Sequence, residues 1–312
     1  MSKAGEAQPN AGGLHARRRG THPPTLVTLV TRALKDEIEL RPGSHVLCAT
    51  SGGPDSMALL DALAALRQRL RFSLSAHGVD HGLRPDAAAE LEIARGWAEE
   101  LGVPFGTTRL SVAPGSNLQA RARQARYAAL REAARGAGAT LIATAHHADD
   151  RAETLLIRLL HGASAEALAV LPARDGDLVR PMLRARRADV LSHLARHRIP
   201  FARDPSNEES RFFRVRVRTE VLPKLAELDT AIVPHLCALA DELGRAGGDA
   251  SRPAGEGREG EPMYPIPRAT KLALARLALE PEGSRRTVWL PGGIQATKAS
   301  RPAARARLKK RK

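Results

Sequence analysis

A chain of 312 residues with 43% hydrophobic and 3% aromatic content is long enough for one substantial α/β domain and a smaller appendage, with a core of Leu, Val, Ile and Ala. Its two cysteines, Cys48 and Cys237, stand far apart with no CxxC, which argues against both a disulfide framework and a zinc or iron–sulfur site. Of the net charge of +15, a surplus of three lies in residues 1–22 and ten in residues 285–312, leaving two for the body, so the ends alone carry a pull toward polyanions such as nucleic acid or merely solubilise the chain.

In chain order, residues 1–22 are rich in Gly, Pro, Ala and Arg and are expected to form a disordered basic extension. The apolar run Leu26 to Leu34 is broken by Arg32 and is too short to span a bilayer. No charged-then-apolar leader precedes it, so no membrane contact and a cytoplasmic location are expected. A helix is predicted over 26–40, and strands over 45–49, 72–79, 103–110 and 140–144. Helices over 57–70, 87–101, 117–134 and 149–160 alternate with them. This alternation predicts an α/β fold, a mostly parallel sheet flanked by helices, with ligands at the carboxyl ends of its strands. Beyond about residue 185 the pattern turns helical, over 187–197, 216–228 and 232–243, which predicts a smaller helical region after the sheet. The expected division is a nucleotide domain over 23–225, a helical substrate region over 226–245, a Gly/Pro/Glu-rich linker over 246–265 and a small C-terminal region with a basic tail over 266–312.

The most informative stretch is Ser51-Gly52-Gly53-Pro54-Asp55-Ser56, where an apolar strand runs into two glycines and then into an apolar helix. Glycines let the backbone approach an anion, and the N–H groups of a starting helix point at it. There is no GxxxxGK[ST], hence no lysine for the β- and γ-phosphates; Asp55 stands at the helix start instead. A carboxylate beside phosphates needs a metal ion between them, so Mg²⁺ is the expected ion and Asp55 its ligand. The plain alternative is a Gly-Gly turn capped by Asp55 or Ser56.

Three further constellations stand out. His81 and Arg84 lie in the segment His77 to Arg84 after the second strand. Arg123 and Arg126, three apart on a helix, are suited to gripping phosphate, although an arginine-rich helix is usually a solvated face. After the fourth strand, His146 and His147 precede Asp149 and Asp150, and Glu153 is spaced to share the aspartates' face. Three carboxylates at a sheet mouth suit a metal or a cationic amine; helix capping explains the aspartates but not the paired histidines.

The complete SGGxDS string after a strand resembles the PP-loop of the N-type ATP pyrophosphatases, whose fold is of the adenine nucleotide alpha hydrolase type. The ordered set of HGLR (82–84 preceded by His81), the Asn117 to Tyr127 helix, HHxDDxAET (146–154), Arg180-Pro181-Met182-Leu183, Asp204-Pro205-Ser206-Asn207 and Arg214 to Pro223 resembles the bacterial tRNA(Ile)-lysidine synthetase family over roughly residues 44–225. The resemblance implies a ligase that consumes ATP with Mg²⁺ and joins free L-lysine to C2 of the wobble cytidine of the tRNA(Ile) with a CAU anticodon, through an adenylated cytidine. It implies that Ser51, Gly52, Gly53, Pro54, Asp55 and Ser56 hold ATP, that Arg123 and Arg126 stabilise the α-phosphate, and that Asp149, Asp150 and Glu153 receive lysine. Val215 stands where an asparagine is expected, Gln119 where an acid is common and Arg151 where glutamine is common. The competing readings are another PP-loop tRNA-modifying enzyme, such as a thiolase, and a non-catalytic RNA-binding protein with a retired ATP fold. The oligomeric state is left open, a homodimer being one option.

Overall fold

The computed structural model describes residues 24–80, 82, 87–111, 118–202, 213–248, 287–290, 294–297 and 307–310. His81, Arg84, the segment 204–207, the extension 1–22 and most of 246–312 lie outside the described residues.

The first helix, α1 (Leu26–Arg32), opens at Thr25, whose hydroxyl accepts from the Thr28 N–H. It passes directly into a π turn, Ala33–Glu37, where a plain helix to residue 40 is predicted. The reason is legible in its buried stripe of Leu26, Val30, Leu34 and Ile38. A spacing of four drifts about 40° per repeat around a helix of 3.6 residues per turn, and the wider π turn takes up that drift.

Six strands form the main sheet: β1 (His45–Thr50), β2 (Ser73–Asp80), β3 (Phe105–Arg109), β4 (Leu141–Ala143), β5 (Arg174–Asp175) and β6 (Leu178–Val179). Their spatial order is β3-β2-β1-β4-β6-β5, all parallel except β5, which pairs antiparallel with β6. The helices between them are α2 (Pro54–Leu70), α3 (Ala87–Glu100), α4 (Leu118–Ala137), α5 (Ala148–Leu160), the short α6 (Ala165–Leu168) and, after β6, α7 (Arg187–His197).

Alternate residues of β1 point to opposite faces, and both faces are covered, as a parallel sheet requires. Val46 and Cys48 pack with α1, α2, α3 and α7, in a core that includes Leu34, Leu59, Leu63, Ala94, Val190 and Leu194. Leu47 and Ala49 pack on the other face with Leu130 and Ala134 of α4, together with Ile142 and Leu178. The chain winds from β1 outward to β2 and β3, then α4 returns it to β4 on the far side of β1. The loops after β1 and β4 therefore leave the sheet in opposite directions and open a crevice between them, where ligands of such sheets bind.

Beyond the sheet, α8 (Phe213–Arg216) leads through a second π turn, Val217–Val221, into α9 (Leu222–Leu228), and α10 (Ile232–Gly248) follows. A single helix over 216–228 is predicted there. Pro223 removes a backbone donor at the start of α9, which favours a break in the α pattern just before it. Val217, Leu222, Val233 and Cys237 close on Ala148, Ala152, Leu156 and Ile157 of α5. The expected domain boundary at 225 falls inside α9, and α10 extends three residues into the expected linker. Three short antiparallel strands, β7 (Thr287–Leu290), β8 (Ile294–Thr297) and β9 (Arg307–Lys310), form a separate sheet in the order β7-β8-β9. Among the described residues no helix is long and apolar enough to cross a membrane.

Candidate active site

The turn between β1 and α2 is tied by its own serines. Ser56 Oγ accepts from the Ser51 N–H at 3.1 Å and donates to the Gly53 carbonyl at 2.9 Å, while the two serine hydroxyls lie 3.2 Å apart. Gly53 is the N-cap of α2 and offers no side chain, so the first N–H groups of the helix are left for an anion. Gly52 has φ +78°, and a Cβ there would stand 2.1 Å from the Glu90 carbonyl oxygen. That position demands glycine on two counts. Gly53 does not: its φ is −75°, and a Cβ would meet nothing closer than Ser51 Oγ at 3.5 Å.

Asp55 sits in the first turn of α2, and its Oδ1 is buried without a hydrogen-bond partner. His147 Nε2 approaches that oxygen to 3.7 Å, and Arg187 Nη1 stands 3.8 Å from Oδ2. Burial pushes the Asp55 carboxyl up, and the positive charges of Arg187 and Arg218 oppose that shift. His147 is the N-cap of α5, in a reciprocal box with Asp150: its Nδ1 accepts from the Asp150 N–H, and Asp150 Oδ2 accepts from the His147 N–H. Accepting at Nδ1 leaves the ring proton on Nε2, which is buried and unpartnered and faces both Asp55 and Asp150 Oδ2, the latter 3.6 Å away.

The three carboxylates of α5 divide. Successive residues of a helix lie about 100° apart, and Asp149 and Asp150 take different arginine partners, although an oxygen of each lies 3.6 Å from the His147 ring. Asp149 turns to α7 and is taken up there. It accepts from Arg186 Nε at 3.2 Å, Arg186 Nη2 at 3.0 Å and the Arg187 N–H at 2.8 Å. Glu153, 1% exposed, accepts from Arg214 Nε at 2.8 Å and Arg218 Nε at 2.6 Å. Asp150 is held more loosely, with Arg214 Nη2 at 3.3 Å and Arg218 Nη2 at 3.8 Å. Burial would raise the Asp150 carboxyl, but the two histidines and Arg214 keep it below the usual carboxylate range.

Arginines gather near His146, with Arg123, Arg180 and Arg214 all acting on it and Asp150 opposing them. Arg123 is exposed and lies over the Tyr127 ring, and Arg126 pairs with no carboxylate among the described residues. Burial and then the Arg123 charge lower the Arg126 guanidinium. Arg180 is 4% exposed; it donates to the Pro172 carbonyl, and its Nε is buried without a partner. His146, 3.0 Å from Thr144 Oγ1 through Nδ1, is pushed down to about 3 by burial and by Arg180, Arg123 and Arg214, against the pull of Asp150. Burial is the main reason this imidazole stays neutral, and the arginines add to it.

Sequence reasoning gave no role to Arg180, Arg186, Arg187, Arg214 or Arg218. The available signal was the pairing of arginine-rich stretches (180–187 and 214–218) with the acidic start of α5 in a nearly neutral body. Arg151, singled out for standing where glutamine is common, is buried and donates to Asp241 of α10 and to the Val170 carbonyl. No cluster of three or more His, Cys, Asp or Glu suited to a metal occurs among the described residues. A single carboxylate with a bare, buried oxygen fits Mg²⁺, which takes one or two protein carboxylates and completes its shell with phosphate oxygens and water.

A protein-family model of the PP-loop domain matches residues 26–225. Among curated proteins, the chain is 43% identical over 215 residues to a tRNA(Ile)-lysidine synthase of Bradyrhizobium diazoefficiens, covering 67% of this chain and 59% of that protein. It is 36% identical over 256 residues to a tRNA(Ile)-lysidine synthase of Thermus thermophilus, covering 80% of this chain and 49% of that protein. The chain thus spans about half the length of the curated relatives it matches. Among solved structures, it is similar to the U34-tRNA thiolase NcsA of Methanococcus maripaludis, with a TM-score of 0.61 at 15% identity over 70% of this chain and 78% of that one, a likeness of fold. With the family match running from α1 into α9, and the two-glycine turn lying where the sheet reverses its order, the chain belongs to the PP-loop family.

Proposed function

We propose that the protein uses ATP and Mg²⁺ to join L-lysine to C2 of the wobble cytidine of the tRNA(Ile) with a CAU anticodon, giving lysidine, AMP and pyrophosphate. The observation that carries this reading is the bare, buried Oδ1 of Asp55 beside an uncapped helix start, at the crevice where the order of the sheet reverses. The names of the curated relatives support the choice of substrate.

In the first step the cytidine O2 bonds to the α-phosphorus of ATP, and the bond to the bridging oxygen breaks as pyrophosphate leaves. The lysine ε-amine then bonds to C2, and AMP departs with the former O2. A ring carbonyl oxygen is a poor leaving group, and adenylation converts it into a good one. Ser51, Gly52, Gly53 and Ser56 bind the pyrophosphate portion with backbone and hydroxyl donors, and Pro54 presets the helix start. Asp55 is the residue that holds Mg²⁺, which when bound neutralises charge growing on the leaving group. Arg123 and Arg126 are the cations assigned to the α-phosphate in the transition state.

Asp150 and Glu153 receive the lysine ammonium, and Asp150, the more loosely held of the two, has the greater capacity for a new cation. Asp149 contributes from behind by fastening α7 to α5. Cytoplasmic location and tRNA binding through the basic ends of the chain follow from the same reading.

The test is labelled lysine with ATP and the isoleucine tRNA transcript, the methionine tRNA serving as control. Lysine transfer to the first and not the second is expected. Transfer to neither by a folded protein overturns the proposal.

A further inference from the structure

The Ser51–Ser56 turn has no lysine, yet a triphosphate brings about four negative charges to it. Most arginines around the mouth of the crevice are already committed. Arg186 is forked on Asp149, Arg184 on Glu37 and Asp241, Arg214 and Arg218 on Glu153, and Arg151 on Asp241. Arg187 is different. Its guanidinium makes no hydrogen bond among the described residues; its only partner is Asp55 Oδ2 at 3.8 Å, beyond hydrogen-bond range.

Its backbone, by contrast, is pinned. The Arg187 N–H donates to Asp149 Oδ2 at 2.8 Å. Val190 and Leu194 of the same helix are buried in the core with α2, and His193 Nε2 lies 2.8 Å from Asp61 Oδ2 of α2 in a buried contact. The side chain is 41% exposed. A free guanidinium thus stands on a fixed base, within reach of the carboxylate that marks the phosphate loop.

We propose that Arg187 is a phosphate-binding residue that grips the β- and γ-phosphates of ATP and the pyrophosphate they become, doing from α7 what a lysine does inside other phosphate loops. The assignment rests on the reading of the Ser51–Ser56 turn as the seat of the pyrophosphate portion. An arginine fork matches the bidentate geometry of phosphate oxygens, which a carboxylate partner at 3.8 Å leaves unused. The same guanidinium lies near Asp55 and offsets part of its buried charge.

The experiment measures binding of inorganic pyrophosphate with Mg²⁺, and separately of AMP, to the full chain by titration calorimetry. Wild type, Arg187→Ala and Arg187→Lys are compared, with urea midpoints to verify folding. Neither substitution touches the backbone bond to Asp149. Arg187→Ala is expected to weaken pyrophosphate about 10- to 100-fold, the factor a charge-assisted hydrogen bond supplies, with AMP within about twofold of wild type. Arg187→Lys keeps the charge without the fork and is expected to fall between.

Pyrophosphate affinity unchanged in Arg187→Ala, or equal losses for pyrophosphate and AMP, overturns the assignment while leaving the nucleotide site standing. A folded wild type that binds neither ligand overturns the reading of the turn and the assignment with it. Should Arg187→Ala not fold, Arg187→Lys decides alone: a loss confined to pyrophosphate supports the role, and wild-type affinity refutes it.

Discussion

The two adjacent glycines of the phosphate loop should behave differently when each is replaced by alanine. At Gly52, φ of +78° places an L-residue in the left-handed region, at a cost of about 1–2 kcal/mol. The added Cβ would also lie 2.1 Å from the Glu90 carbonyl oxygen, where ordinary contact needs about 3.4 Å or more. Because that atom is backbone, either the start of α3 or the loop itself must move by more than an ångström, which adds the 1–3 kcal/mol typical of overpacking.

Gly52→Ala should therefore destabilise the protein by about 2–5 kcal/mol and shift the Ser51–Ser56 turn. Gly53→Ala meets only Ser51 Oγ at 3.5 Å with φ −75°, and its stability should stay within about 1 kcal/mol of wild type. Urea unfolding at matched slopes gives both numbers, and nucleotide binding gives the consequence for the site. Equal midpoint shifts for the two variants would refute the steric reasoning. Loss of ATP affinity in a fully stable Gly53→Ala would mean that the ligand, not the fold, requires that glycine.

Asp55→Asn should abolish pyrophosphate release without loss of stability, because burial already disfavours the charge that the substitution removes; substantial turnover in that variant would count against its role as metal ligand. Glu153→Gln should cost about 1–3 kcal/mol by urea unfolding, since a buried carboxylate loses two guanidinium partners, an effect softened because Arg214 and Arg218 are partly exposed. An unchanged midpoint would show the cluster to be dispensable for folding. Burial pushes the Cys48 thiol up to about 12, so the unfolded chain ionises first as pH rises. Stability should then fall from about pH 9 upward in wild type and fall less steeply in Cys48→Ala; identical slopes would contradict that assignment.

The main sheet was legible because its strands are apolar runs bounded by turns, and β1, β2 and α7 fall within a residue or so of where periodicity puts them. Elements that depend on tertiary contact were not. The β5–β6 hairpin has two residues per strand, too few for any alternation to register. The π turn at 33–37 accommodates a four-residue spacing of buried positions, Leu26, Val30, Leu34 and Ile38, which in the sequence reads as an ordinary helix. The phosphate loop was legible because its chemistry is contiguous in the chain. The arginine partners of Asp149 and Glu153 were not, since Arg186 and Arg214 lie 37 and 61 positions away in sequence and only the packing of α7 and α8 against α5 brings them in. The spacing of Asp149, Asp150 and Glu153 also gave no sign that Asp149 would be bonded to Arg186 and the Arg187 N–H of α7.

The two borders of the six-stranded sheet are both poor templates for another chain. On one side β5 is two residues long, with Arg174 turned to donate to the Ile38 carbonyl. On the other, β3 is the polar pentapeptide Phe105–Arg109, ending in a charged side chain. Brevity and charge at open strand borders are what keep sheet proteins from zipping together. Both borders of the main sheet are accordingly guarded against pairing with the same sheet of another copy.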